Sequence, residues 1–104
     1  MNILVVENEK PAAEKIIRLL RENDRTVLIT GVLETVIDTI NWFQTNPDPD
    51  LIFMDIQLDD GLCFEIFENI NIENRFKLYL SAFVLPPANI TDVKIFIFTI
   101  LKHS

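Results

Sequence analysis

Residues Leu51-Ile52-Phe53-Met54 put four apolar side chains in a row, preceded by Pro49-Asp50 and closed by Asp55. Neighbouring side chains of a strand point to opposite faces, so this run reads as a short strand buried on both sides. Such strands belong to parallel sheets covered by helices on each face. A charged Asp55 then arrives where the run stops. In open parallel sheets, ligands and chemistry sit at the carboxyl ends of the strands. A buried carboxylate is costly unless something pairs with it, so its partners are expected elsewhere in the chain. The plainer reading is a strand end that is merely capped or solvated. A second run of the same shape at the N-terminus weighs against it.

That second run covers residues 2–6 and is broken by Glu7-Asn8-Glu9-Lys10-Pro11. Proline is accepted in the first turn of a helix. Ala13, Ile16, Ile17 and Leu20 then recur at helical spacing, with Glu14, Lys15, Arg18 and Arg21 on the other side. Residues 26–32, rich in Val, Ile and Thr, predict a second strand. Val36, Ile37, Ile40 and Phe43 predict one face of a second helix, ended by Pro47 and Pro49. Beyond the central strand, residues 57–61 read as a polar loop. Leu62, Phe64, Ile66, Phe67 and Ile70 predict a third helix, on which Cys63 is a packing residue; Trp42 and the helical phenylalanines are core candidates. Alternating strands and helices predict parallel βαβ units. Residues 76–80 give a fourth strand, ending at Ser81-Ala82. Pro86-Pro87 then blocks a helix start, and residues 95–101 read as a fifth strand with no closing helix after it.

With 104 residues there is room for one domain, and 49% hydrophobic residues argue for a packed core. The net charge of −7 disfavours direct binding of nucleic acid or an anionic membrane, and is compatible with a cation site. One cysteine allows no internal disulfide and suits a reducing compartment. Residues 3–6 are too short for a signal-peptide core, and residues 95–101 fall far below the ~20 residues of a membrane span. The expected setting is the cytoplasm.

With strands one and three as neighbours, Glu7 and Asn8 lie beside Asp55 at one sheet edge, where Ser81 and Lys102 end strands four and five. Carboxylates hold Mg²⁺, a hard cation that takes oxygen ligands. A carboxylate can also attack phosphorus to form an acyl phosphate. A hydroxyl and an ammonium can then hold the phosphoryl oxygens.

Residues 1–67 resemble a response-regulator receiver domain, most closely the receivers that precede LytTR-type DNA-binding domains. The resemblance is carried by Ile3-Leu4-Val5-Val6-Glu7-Asn8-Glu9, Pro11-Ala12-Ala13, the stretch from Pro49 to Leu58, and Asp60-Gly61-Leu62. It implies a flavodoxin-like doubly wound parallel sheet with strand order 2-1-3-4-5. It also implies a two-component phosphorelay in which a sensor histidine kinase gives its phosphoryl group to Asp55. Glu7, Asn8, Asp55 and the Gln57 carbonyl would hold Mg²⁺, and Ser81 and Lys102 would bind the phosphoryl group. Such a domain is a signalling substrate, not a turnover enzyme.

The departures from the pattern are specific. Asn8 stands where the family usually has a second acid, Thr99 stands at the switch aromatic, and His103 follows the lysine in place of proline. The rival reading is therefore a phosphorylation-independent receiver-like interaction module, or a non-functional product of a truncated or frameshifted response-regulator gene. A nucleotide-binding Rossmann enzyme is disfavoured, because Gly31 and Gly61 alone cannot build its glycine-rich loop. Residues 1–75 are typical of a receiver and residues 76–104 are not. A frame change or truncation in the gene is the expected cause. Both faces of the fifth strand are largely apolar, which predicts self-association, as in a homodimer, through the strand-four and strand-five region, or marginal stability as a monomer.

Overall fold

The computed structural model describes residues 1–70, 77–80 and 94–98. The chain runs β1 (Asn2–Val6), α1 (Lys10–Asn23), β2 (Leu28–Leu33), α2 (Val36–Thr45), β3 (Leu51–Asp55), β4 (Gln57–Leu58), β5 (Gly61–Leu62), α3 (Phe64–Asn69), β6 (Lys77–Leu80) and β7 (Lys94–Phe98). Strand β1 lies between β2 and β3 and is parallel to both. All five residues of β3 are buried: Leu51 to Met54 as a run without a polar position requires, and Asp55 with them.

Strict alternation divides the core in two. Leu4, Val6, Ile52 and Met54 join Val36, Ile40 and Phe43 of α2 and Ile66 of α3 on one face of the sheet. Ile3, Val5, Leu51 and Phe53 join Ala13, Ile16 and Leu20 of α1 on the other. Helices thus cover both faces of a parallel α/β sheet. Ile37, on the expected apolar face of α2, and Phe64, a core candidate, are exposed instead, and Leu62, expected on the third helix, is exposed on β5. Thr39 takes the inward position on α2, its hydroxyl bonded to the Thr35 carbonyl at 2.8 Å.

Local chemistry fixes the joints. The Asp50 carboxylate accepts a hydrogen bond from the Asn2 backbone N–H at 2.7 Å, and the Asp50 N–H donates to the Asn2 carbonyl at 2.8 Å. That clasp sets the β1–β3 register. The β1–β2 register slips by one residue between Ile3 and Leu4, bringing Gly31 opposite Leu4. A Cβ at Gly31 would stand 3.1 Å from Leu4 Cδ1 and 3.2 Å from Trp42 Nε1. Glycine there lets the Trp42 ring approach the sheet.

The expected strand order 2-1-3-4-5 is met over its first three strands, β2-β1-β3, and is not reproduced beyond them. The sheet runs β2-β1-β3-β7-β6, so the last two strands are exchanged. The physical reason lies in composition. Both strands open with a lysine, Lys94 and Lys77, but Ile95-Phe96-Ile97-Phe98 is the longer apolar run, suited to a place inside the sheet, whereas Tyr79 interrupts Leu78 and Leu80 in β6. Of the strands expected over residues 76–80 and 95–101, the structure shows Lys77–Leu80 and Lys94–Phe98; residues 76 and 99–101 lie outside the described residues. The expected break at Pro86-Pro87 and the expected lack of a closing helix fall outside the described residues.

Candidate functional site

Two strand ends build the site. The register pairs Val6 with Met54, so Glu7 and Asp55 leave adjacent parallel strands at the same edge. Both residues are 1% exposed. The Glu7 N–H donates to the Leu33 carbonyl at 2.8 Å, which anchors the β1 end to the end of β2. On the other side of Asp55, β7 places Phe98 in register with it.

Asn8 follows Glu7 and is half-buried. Its Nδ2 donates to Asp59 Oδ1 at 2.8 Å. Gln57 is exposed and lies on β4, where it pairs with Leu62 across a small antiparallel hairpin. The register thus puts Glu7 and Asp55 at one sheet edge, with Asn8 next to Glu7 in the chain and Gln57 two residues after Asp55. Ser81 and Lys102, and with them Thr99 and His103, lie outside the described residues.

The hairpin of β4 and β5 replaces the loop expected over residues 57–61, and it holds Asp59, which sequence reasoning passed over, and Asp60, to which it gave no role of its own. Asp59 and Asp60 form its tip. The Asp60 carboxylate accepts the backbone N–H groups of Val36 at 2.6 Å and Ile37 at 3.1 Å, the first exposed donors of α2. Desolvation raises the Asp60 pKa, but the N–H bonds from Val36, Ile37 and Asp60 itself outweigh it and hold the group below its ordinary value. Thr35 completes the cap by accepting from the Asp38 N–H at 3.1 Å. The signal in the sequence was Asp59-Asp60-Gly61 between two leucines, since Asp-Gly between apolar residues marks tight hairpins.

Gly61 adopts φ 155°, and the Glu65 carboxylate occupies the space that a Cβ would need. That carboxylate accepts the Leu62 N–H at 2.7 Å. Cys63 is fully buried, and its N–H donates to the Ile56 carbonyl at 2.7 Å. Burial first, and then the negative charge of Asp55, push its thiol pKa up to about 12. Cys63 is therefore a neutral packing residue beside the site, as its position on an apolar helix start predicted.

The residues that could hold a cation at this edge all offer oxygen: the Glu7 and Asp55 carboxylates, the Asn8 carboxamide and the Gln57 carbonyl. Hard cations such as Mg²⁺ take such donors and keep several waters, so the chemistry fits that ion. Among the described residues, no three His, Cys, Asp or Glu side chains converge as a metal-binding group. Any cation here would thus rely on the neutral oxygens and on water as well as on Glu7 and Asp55. No described helix is long and apolar enough to cross a membrane. Compared with protein-family models, curated proteins and solved structures, the chain matches none.

Proposed function

We propose that this chain is a phosphoacceptor receiver domain of a two-component system, with Asp55 as the acceptor. The observation that carries the reading is the burial of Glu7 and Asp55 side by side at the ends of adjacent central strands. Buried carboxylates at one sheet edge are oxygen donors of the kind a hard divalent cation takes. The exchange of β6 and β7 does not touch this pair, because β1 and β3 carry it.

In the proposed step, an Asp55 carboxylate oxygen attacks the phosphorus of a phosphohistidine on a partner kinase. An O–P bond forms, the P–N bond breaks and the imidazole leaves with the electron pair. Bound Mg²⁺ would supply charge neutralisation for the phosphoryl oxygens as they approach two carboxylates. Glu7 holds negative charge for the cation, Asn8 presents a neutral oxygen, and the strand ends keep Asp55 fixed and largely shielded from water. By the resemblance, Ser81 and Lys102 bind the phosphoryl oxygens, so that catalysis is mostly positioning and electrostatics. A cytoplasmic setting and a sensor histidine kinase partner belong to the same proposal.

The test is chemical labelling. Acetyl phosphate or a phosphoramidate with Mg²⁺ should add one phosphoryl group per chain, seen as a mass increase, and Asp55→Asn should remove that capacity. Labelling of the variant equal to the parent overturns the assignment. A parent that neither takes label nor binds Mg²⁺ leaves the interaction-module reading in its place.

A further inference from the structure

The hydrogen bond from Asn8 Nδ2 to Asp59 Oδ1 spans 51 residues of sequence and joins the end of β1 to the tip of the β4–β5 hairpin. A carboxamide has one donating and one accepting prong, and an ionised carboxylate only accepts. Asp59 can therefore engage Asn8 only through its nitrogen. The amide is held in one of its two orientations, with Oδ1 on the opposite prong. A cation can use that oxygen and cannot use the NH₂ group.

An aspartate at position 8 would meet Asp59 as a like charge, whereas asparagine meets it as a donor. Asn8 and Asp59 are thus chemically matched to each other. Hairpin geometry supports a stable placement, since Asp60 ties the next position to the start of α2 by two further hydrogen bonds.

We infer that Asp59 is a positioning residue for the cation site: it orients the Asn8 carboxamide so that its oxygen, and not its nitrogen, is offered beside Glu7 and Asp55. This inference rests on the metal-dependent reading above. Partners that orient a ligand typically change metal affinity by about 10–100-fold, and an exposed bond such as this one belongs at the lower end.

Mg²⁺ affinity is measured by NMR titration of the full chain without any phosphodonor. Asp59→Ala should weaken Mg²⁺ binding by about tenfold. Asp59→Asn removes the charge but keeps an accepting oxygen, so it should hold affinity near that of the parent. In an Asn8→Ala background, Asp59→Ala should have little further effect. In the metal-free parent, the Asn8 side-chain NH₂ signals should be protected from solvent exchange, and Asp59→Ala should abolish that protection. Equal losses for Asp59→Ala and Asp59→Asn, or a loss that persists undiminished without Asn8, would mean charge alone and overturn the inference. Unprotected Asn8 NH₂ signals in the parent overturn it independently of metal. A parent that binds no Mg²⁺ overturns the receiver reading and this inference together.

Discussion

Three strands of this sheet are written in the same way, as an apolar run followed at once by an acid: Val6-Glu7, Leu33-Glu34 and Met54-Asp55. The outcomes differ. Glu7 and Asp55 are buried, whereas Glu34 is exposed. Strands β1 and β3 have paired neighbours on both sides, and β3 is buried throughout. Strand β2 is the edge; its residues alternate between exposed and half-buried, and Leu28 is 59% exposed. An acid at the end of a central strand inherits a dry environment from its neighbours, and the same acid at an edge does not. Position in the sheet, more than residue type, separates a site from a solvated end.

The sharpest way to break that comparison is to neutralise each acid in turn. Asp55→Asn should abolish phosphoryl incorporation, while Glu34→Gln should leave it at the level of the parent, both read by intact mass after acetyl phosphate treatment. Loss of labelling in both would make the contrast between centre and edge irrelevant to function.

Truncating the strands themselves gives the next largest effect. Ile52→Ala, in the fully buried centre, should cost about 2–5 kcal/mol of stability. Leu28→Ala on the exposed edge should stay within about 0.5 kcal/mol of the parent. Urea denaturation followed by Trp42 fluorescence reads both. Similar costs for the two would show that β2 is as buried in solution as β3.

A third variant adds charge at the central site. Asn8→Asp should tighten Mg²⁺ binding by about tenfold, because a third carboxylate joins Glu7 and Asp55. It should also lower the metal-free melting temperature through like-charge repulsion, now including Asp59. Unchanged Mg²⁺ affinity would separate Asn8 from the site.

The smallest effect concerns the hairpin's hold on α2. Asp60→Ala should cost about 0.5–1 kcal/mol, at the low end for a lost cap because Asp60 is exposed. The folded pKa of Asp60 lies below 3.8, the value without these bonds. Its contribution is therefore fully present above that value and is lost as pH falls through the lower folded one. In acid denaturation curves, the difference between parent and Asp60→Ala should narrow only at pH below about 4. A gap that closes near neutrality would assign the effect to another group.

The three central elements were legible for particular reasons. Leu51 to Met54 has no polar residue, so no arrangement with one wet face can accommodate it. Pro11, Pro47 and Pro49 punctuate the helices, and Ala13, Ile16 and Leu20 mark the face of α1 that is buried. Reading failed where spacing left two answers. Ile37 fits the apolar stripe of α2 as well as Thr39 fits the inward line, and only the position of α2 over Leu4 and Ile52 selects Thr39. Residues 57–61 are polar and glycine-bearing, which describes a loop and a tight hairpin equally. The roles of Asp59 and Asp60 depend on what stands opposite them, and Asn8 and Val36 are 51 and 24 residues away.

The sequence by itself determined the alternation of strands and helices, the two-sided burial of β3, and the arrival of Glu7 and Asp55 at strand ends. These follow from local rules of period, proline and apolar run, each acting within a few residues. Tertiary structure decided which acid became dry, which strand lay beside β3, and which carboxylates found Asn8 and the start of α2. Those outcomes depend on long-range register and on burial from both sides. A side chain's environment is made by neighbours distant in sequence, and no local pattern encodes their distance.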